Sequence, residues 1–172
     1  RSTSPLDSCV VTVGKLEAGD SFNIIPHTAR LSGTCRAFSK EAHDALPGRV
    51  REIVSGVASA LGCRAEIDYR QICSPTVNEP LMTELMREVA REHFGADAVV
   101  TDGEGARTMA GEDFSALLEH RPGCFALVGS RNTAQGLTHP HHSPHFDFDE
   151  GALEVSVRLL EGIARRFLEV SR

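Results

Sequence analysis

The feature that most constrains the fold is a strict alternation of residue types from Thr28 to Phe38. One set of alternate positions holds Ala29, Leu31, Gly33, Cys35 and Ala37, and the other holds Arg30, Ser32, Thr34, Arg36 and Phe38. Side chains two residues apart lie on the same face of a strand, so the pattern predicts a β-strand with one packed face. The short segment Ser8–Leu16 is rich in β-branched residues and predicts a second strand, before a turn at Glu17–Asp20.

A helix and a further strand are predicted next. Ser39 is a suitable N-cap, Pro47-Gly48 predicts an interruption, and apolar residues recur at helical spacing from Val50 onwards. Cys63–Ile72 alternates again and predicts a strand. The order strand, strand, helix, strand matches the last four elements of a ferredoxin-like βαββαβ unit that lacks its first strand and helix. The fold class is therefore mixed α/β.

A domain boundary is predicted at Ser74–Pro80, which contains two prolines and few apolar residues. We expect one domain at residues 1–74 and another at 75–172. The second half predicts a helix from Leu81 to Gly95, strands at Ala98–Thr101 and Cys124–Val128, a short helix at Glu112–Glu119 and a long helix at Asp149–Val170. The long helix is expected to face inward with Leu153, Val157, Leu160, Ala164 and Phe167.

Charge and composition exclude several classes of protein. The net charge is −6 and basic residues alternate with acidic ones, so no nucleic-acid partner is expected. Five cysteines without a C-x-x-C pair argue against a zinc knuckle or a secreted disulfide framework. No apolar stretch approaches the roughly 20 residues of a membrane span. Arg1–Asp7 is not followed by the apolar core of a signal peptide, so we expect a cytoplasmic protein without a membrane partner.

Histidines are concentrated at one place. Four of the eight lie between positions 139 and 145, just before an acidic segment. Such a loop is either an exposed, pH-sensitive surface or part of a site for a divalent transition metal. Pro140 and Pro144 exclude helical spacing of the four imidazoles, so at most one or two of them are expected to bind a metal.

Three other residues have both a structural and a functional interpretation. Glu112 is expected either to cap a helix N-terminus or to line a polar active site. Arg36 is either a solvated strand residue or a bidentate ligand for a substrate carboxylate. Asn23 is a turn former or a loop amide that binds substrate. The sequence contains no G-x-S-x-G, G-x-G-x-x-G or P-loop motif, so serine-nucleophile chemistry and a nucleotide cofactor are not expected.

Four segments taken together resemble one family of enzymes. They are Gly19–Pro26, Gly33–Arg36, Met109–Phe114 and His142–Glu150. In order and spacing they are similar to the metal-dependent amidohydrolases that include hippurate hydrolase, auxin-conjugate hydrolases and N-acyl-amino-acid deacylases. The resemblance implies a ferredoxin-like lid that also mediates homodimerisation, and a zinc-peptidase-like α/β/α catalytic sandwich.

The resemblance also implies site residues and a cofactor. By the family's pattern His142 is a metal ligand, and Glu112 belongs to an acidic segment near the site. Arg36 and Asn23 fall on lid positions that hold the substrate carboxylate and the region of the scissile carbonyl. The implied cofactor is a pair of divalent ions, zinc, manganese, cobalt or nickel, and the implied substrates are small N-acyl amino acids cleaved at the amide bond by metal-activated water.

The sequence lacks the other half of the family's pattern. A His-x-Cys-Gly-His-Asp segment, a Glu-Glu pair and a further histidine, which supply most ligands and the general base, do not occur. The resemblance therefore implies a C-terminal portion that is inactive without its N-terminal half. Two alternatives stay open: a di- or aminopeptidase-like relative, and a non-catalytic dimerisation or structural fragment.

Overall fold

The computed structural model describes residues 8–100 and 107–170. The chain divides into two compact units: residues up to Val77 with Thr108–His120 form the first, and the other described residues form the second. The elements in chain order are β1 (Cys9–Ala18), β2 (Ala29–Ala37), α1 (Lys40–Ala60), α2 (Pro80–Phe94), a 3-10 turn (Ala96–Ala98), α3 (Ser115–Leu118) and α4 (Gly151–Val170). The mixed α/β class is confirmed, whereas the domain limits at 1–74 and 75–172 stay a prediction.

β1 and β2 form an antiparallel hairpin in the first unit, which confirms both predicted strands. Val10 pairs with Arg36 near one end of the hairpin, and Ala18 pairs with Ala29 at the other. The predicted packed face is wrong for residues 29–34, which are exposed because no part of the described chain covers β2 there. Residues 35–37 are half-buried, so packing begins only at the end of β2 that carries Arg36.

Gly33 leaves no room for a side chain between the two strands. A Cβ there would collide with the carbonyl oxygen of Thr12 and lie 3.0 Å from its carbonyl carbon. We expect Gly33→Ala to destabilise the protein by about 1–3 kcal/mol, because the strands must shift to relieve the overlap. Chemical denaturation monitored by circular dichroism would measure the change. Gly14→Ala is the matched control in the same hairpin, since a Cβ at Gly14 has nothing within 4 Å; equal effects of the two substitutions would contradict this account.

α1 is continuous through Pro47, so the predicted interruption at Pro47-Gly48 is wrong. The helix begins where expected: the Ser39 hydroxyl accepts a hydrogen bond of 3.1 Å from the Ala42 amide. Proline removes one backbone hydrogen bond from a helix interior, which packing can offset. Leu46, next to Pro47 and only 8% exposed, supplies such packing in this turn.

The predicted strand at Cys63–Ile72 is wrong as secondary structure, since these residues join no ladder within the described chain. Their burial still alternates, because Ala65, Ile67 and Tyr69 are half-buried and the residues between them are exposed. Arg51 lies over the Tyr69 ring at 5.9 Å. Burial, followed by a hydrogen bond with Cys35, raises the pKa of Tyr69 to about 12. The segment therefore touches α1 and β2 through side chains without backbone pairing.

Two further strand predictions are also wrong. Ala98 lies in the 3-10 turn, Val99 and Val100 are outside any strand, and Thr101 lies outside the described residues. Cys124–Val128 forms no ladder in the described chain, although Asn78 anchors it through a 2.8 Å hydrogen bond to the Phe125 carbonyl. An apolar or alternating pattern predicts which side chains are buried, but a strand also needs a neighbouring backbone.

The second unit is built on α2 and α4, which pack against each other. α2 begins one residue before the predicted Leu81, and the Glu79 carboxylate caps it by accepting a 2.7 Å hydrogen bond from the Met82 amide. Gly95 ends the helix as predicted, with φ of 89°. Val89 of α2 is 1% exposed and lies at the contact with Gly162 of α4. The two long helices predicted for this half are thereby confirmed, the second beginning at Gly151 instead of Asp149.

The predicted inward face of α4 is wrong. Leu153, Val157, Leu160 and Phe167 are all exposed, with exposed fractions between 47% and 66%. The side that packs instead carries Ala152, Val155, Ser156, Leu159, Gly162, Ile163 and Arg166, which are buried or half-buried. α4 is apolar on both sides, so its sequence does not determine which side meets α2.

Few apolar side chains are buried in the part of the chain that the structure describes. Leu46 and Val89 are the buried hydrophobic residues there, and large apolar side chains on β1, α1 and α4 are exposed. None of the described helices is both long enough and apolar enough to cross a lipid bilayer.

Candidate functional site

Arg36 and the acidic segment at Met109–Glu112 meet in the first unit, although they are 73 residues apart in sequence. The Nη1 atom of Arg36 donates a 2.6 Å hydrogen bond to the Met109 carbonyl oxygen. A Cβ on Gly111 would lie 3.7 Å from the same Nη1 and 3.7 Å from the Cys73 sulfur. β2 presents Arg36 at its half-buried end, which brings the guanidinium against this segment.

Glu112 holds the turn that precedes α3. Its carbonyl oxygen accepts hydrogen bonds from the Ser115 hydroxyl at 2.8 Å and from the Ser115 amide at 3.3 Å. Its carboxylate receives a long 3.5 Å contact from the Phe114 amide. The predicted helix at Glu112–Glu119 is shorter than expected, because Glu112 and the two following residues form this turn and the helix spans Ser115–Leu118. Glu112 is half-buried and Ser115 is 2% exposed, so the turn is well anchored.

A polar groove of about 290 Å³ lies beside this turn in the first unit. Its walls include Lys40, His43, Asp44, Cys73, Ser74 and Glu119. Lys40 donates a 2.8 Å hydrogen bond to Asp44; this bond, followed by that from His43, lowers the pKa of the Asp44 carboxyl. The Ser74 hydroxyl donates to the Glu119 carboxylate.

None of these groove residues was predicted from the sequence to belong to a site. The spacing of Lys40 and Asp44, one helical turn apart, is a readable signal for a surface ion pair. No local signal joins Ser74 to Glu119, which are 45 residues apart. The groove carries both charge signs: Lys40 is paired with Asp44, and the Glu119 carboxylate accepts from the Ser74 hydroxyl.

Asn23 lies far along the hairpin from Arg36. It is exposed in the turn-containing loop between β1 and β2, beyond the Ala18–Ala29 pair. Arg36 is seven residues further along β2 than Ala29, a distance of about 23 Å at the usual strand rise. The structure therefore does not bring the two predicted substrate-binding residues together within one hairpin.

His142 is exposed in the second unit and has a left-handed backbone, with φ of 68°. The turn around it is closed by a 3.2 Å hydrogen bond from the Ser143 amide to the Pro140 carbonyl. Within residues 8–100 and 107–170, no three or more His, Cys, Asp or Glu side chains are grouped to hold a metal ion. Because a stable centre needs about four ligands, the described residues fit one corner of such a centre and do not form it alone.

The segment after the histidines is tied to the start of α4 through Asp149. Its carboxylate accepts a 2.6 Å hydrogen bond from the Asn132 side chain and a 2.9 Å bond from the Gly151 amide. The bond from Asn132, followed by that from Gly151, lowers the pKa of Asp149. The carboxylate thus connects Asn132 to the start of the helix that follows the histidine loop, and the Asp149 amide donates a 2.9 Å hydrogen bond to the Ser130 carbonyl.

Comparison with known proteins decides the family. The sequence model of "Peptidase family M20/M25/M40" matches residues 3–166. The chain belongs to this family. The predicted resemblance is thereby confirmed at the level of the M20 family.

Several M20 relatives match nearly the whole chain. The chain is 34% identical over 172 residues to IAA-amino acid hydrolase ILR1-like 4 of Arabidopsis thaliana, covering 98% of this chain and 38% of that protein. It is 37% identical over 160 residues to N-acetyldiaminopimelate deacetylase of Brevibacillus brevis, covering 93% and 40% respectively. The chain thus spans about two fifths of the length of the curated relatives that it matches.

A solved M20 structure also matches. The Bacillus subtilis YXEP protein, described as a dinuclear metal binding peptidase from the M20 family, superimposes with a TM-score of 0.76 at 32% identity. The match covers 94% of this chain and 42% of that one. The likeness supports the mixed α/β fold of an M20 protein.

Proposed function

We propose that this chain is part of a metal-dependent amidohydrolase that cleaves the amide bond of N-acyl amino acids. Membership of the M20 family supports a hydrolase, and relatives named as an IAA-amino acid hydrolase and as deacetylases support an N-acylated substrate. The remainder of the site, including the family's N-terminal half, belongs to the complete protein, and we propose that the chain alone is inactive.

The observation that carries this proposal is the position of Arg36. Arg36 is half-buried, and one nitrogen of its guanidinium is held by the Met109 carbonyl, which restricts the orientation of the whole side chain. A guanidinium has five N–H donors, and two parallel donors match the two oxygens of a carboxylate. We propose that Arg36 binds the free carboxylate of the amino-acid half of the substrate.

Asn23 is proposed to donate a hydrogen bond to the carbonyl oxygen of the scissile amide as negative charge develops there. The stretch of about 23 Å along β2 between Ala29 and Arg36 exceeds the length of a small N-acyl amino acid. We therefore propose that the protein is a homodimer through the lid, and that Arg36 of one copy and Asn23 of the other serve the same substrate. The lid is proposed to include residues 1–74, and residues 75–172 to belong to the catalytic domain.

His142 is proposed as one metal ligand, and Glu112 as an acidic residue that orients neighbouring groups of the site. The exposed imidazole of His142 suits a divalent zinc, manganese, cobalt or nickel ion. The description of the YXEP protein as dinuclear supports two ions in the complete site. Such ions, when bound, activate water and polarise a carbonyl.

The experiment uses the complete protein that contains this chain. Hydrolysis of N-acetyl, N-benzoyl and indole-3-acetyl amino acids is compared with that of free dipeptides, before and after metal removal by a chelator. We expect N-acyl amino acids to be preferred, activity to be lost with the metal and to return when it is added, and His142→Ala to reduce activity by at least about 100-fold, because a metal ligand is lost.

His141→Ala is the matched control for this test, because it removes an adjacent imidazole that packs edge-on against Phe146 at 4.8 Å and should leave activity largely unchanged. Faster cleavage of free dipeptides would favour the peptidase alternative. Activity that does not depend on metal, or no activity on any amide, would contradict the proposed function.

A further inference from the structure

The loop from His139 to His145 is closed on itself by short-range hydrogen bonds. The Ser143 amide donates to the Pro140 carbonyl at 3.2 Å, and the His145 amide donates to the Ser143 hydroxyl at 3.1 Å. Two successive turns are therefore fixed within seven residues, and the two prolines reduce the number of alternative backbone conformations. As a result, His139 and His145, at the two ends of the loop, lie close together.

The rings of His139 and His145 lie next to each other. Their centroids are 5.5 Å apart and their planes are inclined by 46°. Zinc-type ions bind imidazole nitrogen at about 2.0–2.1 Å, so two imidazoles on one tetrahedral ion have ring centres about 5 Å apart. The observed spacing thus approaches that of two histidines sharing one ion. Both residues are exposed, which leaves room for water to complete the coordination.

The two histidines between them are arranged differently. His141 packs edge-on against the Phe146 ring, and His142 sits at the left-handed position of the turn. Neither takes part in the ring contact between His139 and His145. The pair is therefore defined by geometry and is separate from the role proposed for His142.

We propose that His139 and His145 form a two-histidine site for a divalent transition metal. The ligands are the two imidazole rings, with water in the remaining coordination positions. Affinity follows the general order of these ions, with Cu²⁺ and Ni²⁺ bound more tightly than Co²⁺ and Mn²⁺. The site does not depend on the proposed hydrolase function, because neither His139 nor His145 has a role in the proposed hydrolysis.

The test is isothermal titration of the 172-residue chain with Ni²⁺ at pH 7.5. We expect one ion to bind, and His139→Ala and His145→Ala each to weaken binding by at least about tenfold, because each removes one of two ligands. His141→Ala and His27→Ala are the matched controls and should leave the dissociation constant unchanged. In parallel, paramagnetic Ni²⁺ should broaden the ring resonances of His139 and His145 before those of other histidines.

Two results would overturn the site. One is an unchanged dissociation constant in both the His139→Ala and the His145→Ala variants, with circular dichroism showing that they fold. The other is loss of Ni²⁺ binding in the His142→Ala variant but not in the His139→Ala or His145→Ala variants. That result would assign the ion to His142, the ligand proposed for the hydrolase metal centre. Loss of hydrolysis in the complete protein without loss of Ni²⁺ binding here would leave this site standing, so the two proposals fail separately.

Discussion

Replacing Arg36 with alanine in the complete protein is expected to raise the Michaelis constant for an N-acyl amino acid by about 100-fold or more. The two hydrogen bonds that a guanidinium makes to a carboxylate are charge-assisted, and each is worth about 1.5–3 kcal/mol. Steady-state kinetics with an N-acetyl amino acid and with its carboxamide would measure the effect. The wild type should prefer the carboxylate, whereas the variant should cleave the two substrates about equally.

Arg36→Lys is the matched variant, since it keeps the charge but loses the planar pair of donors, and should fall between the wild type and alanine. If the substitution of Arg36 acted only by disturbing the local structure, the kinetics would differ from this expectation. The guanidinium also holds the Met109 carbonyl, so a variant that only disturbs this segment should lose activity equally on both substrates. An unchanged Michaelis constant with a full preference for the carboxylate would contradict the assignment.

Mixed dimers test whether Arg36 and Asn23 act from different copies. When Asn23→Ala and Arg36→Ala subunits combine, each mixed dimer keeps one site with both residues if they come from opposite copies. Activity should then recover relative to either pure variant. No recovery would mean that one copy supplies both residues, in conflict with the length of β2 between them.

Replacing Gly162 with leucine is expected to destabilise the second unit by about 1–3 kcal/mol, because a side chain has no space between α4 and α2. A Cβ at this position would lie 2.7 Å from Val89 Cγ1 and 2.8 Å from His93 Nε2. His93 is exposed, whereas Val89 is 1% exposed, so the surroundings of Val89 must move. Thermal or urea denaturation followed by far-ultraviolet circular dichroism would measure the loss.

Gly56→Ala is the matched control, because Gly56 lies inside α1 and a Cβ there meets nothing within 4 Å. Alanine is a better helix former than glycine by up to about 1 kcal/mol, so this variant should be slightly more stable than the wild type. If the Gly162→Leu variant unfolds at the same denaturant concentration as the wild type, α2 and α4 do not pack as described.

Helices were predictable because their signals are local. Ser39 at one helix start and Gly95 at a helix end act within one turn of their own backbone. The hairpin was predictable for a similar reason, since its two strands are neighbours in sequence. The predicted interruption at Pro47 was wrong because side-chain packing can offset the free-energy cost of a proline within a helix. A sequence pattern does not show that packing.

Strand partners and packed faces were not predictable in the same way. The alternation at Cys63–Ile72 agrees with the burial of Ala65, Ile67 and Tyr69 but not of Cys63, which is exposed. These residues pair with no strand in the described chain. α4 offers two apolar sides, and the one chosen contains Gly162, where the backbone approaches Val89. Pairing and close approach depend on the neighbour, which lies far away in sequence.

The amino-acid order alone specified the kinds of chemical group in the candidate site: an arginine at a strand end, a loop amide, an acidic turn and a proline-flanked histidine. It also indicated the family, because four short motifs occur in one order. Folding determined which groups they contact. Arg36 donates a hydrogen bond to the Met109 carbonyl, the Ser115 hydroxyl donates to the Glu112 carbonyl, and the His145 ring lies next to the His139 ring. Side-chain chemistry is a property of each residue, whereas a contact across 73 residues exists only after the backbone between them has been placed.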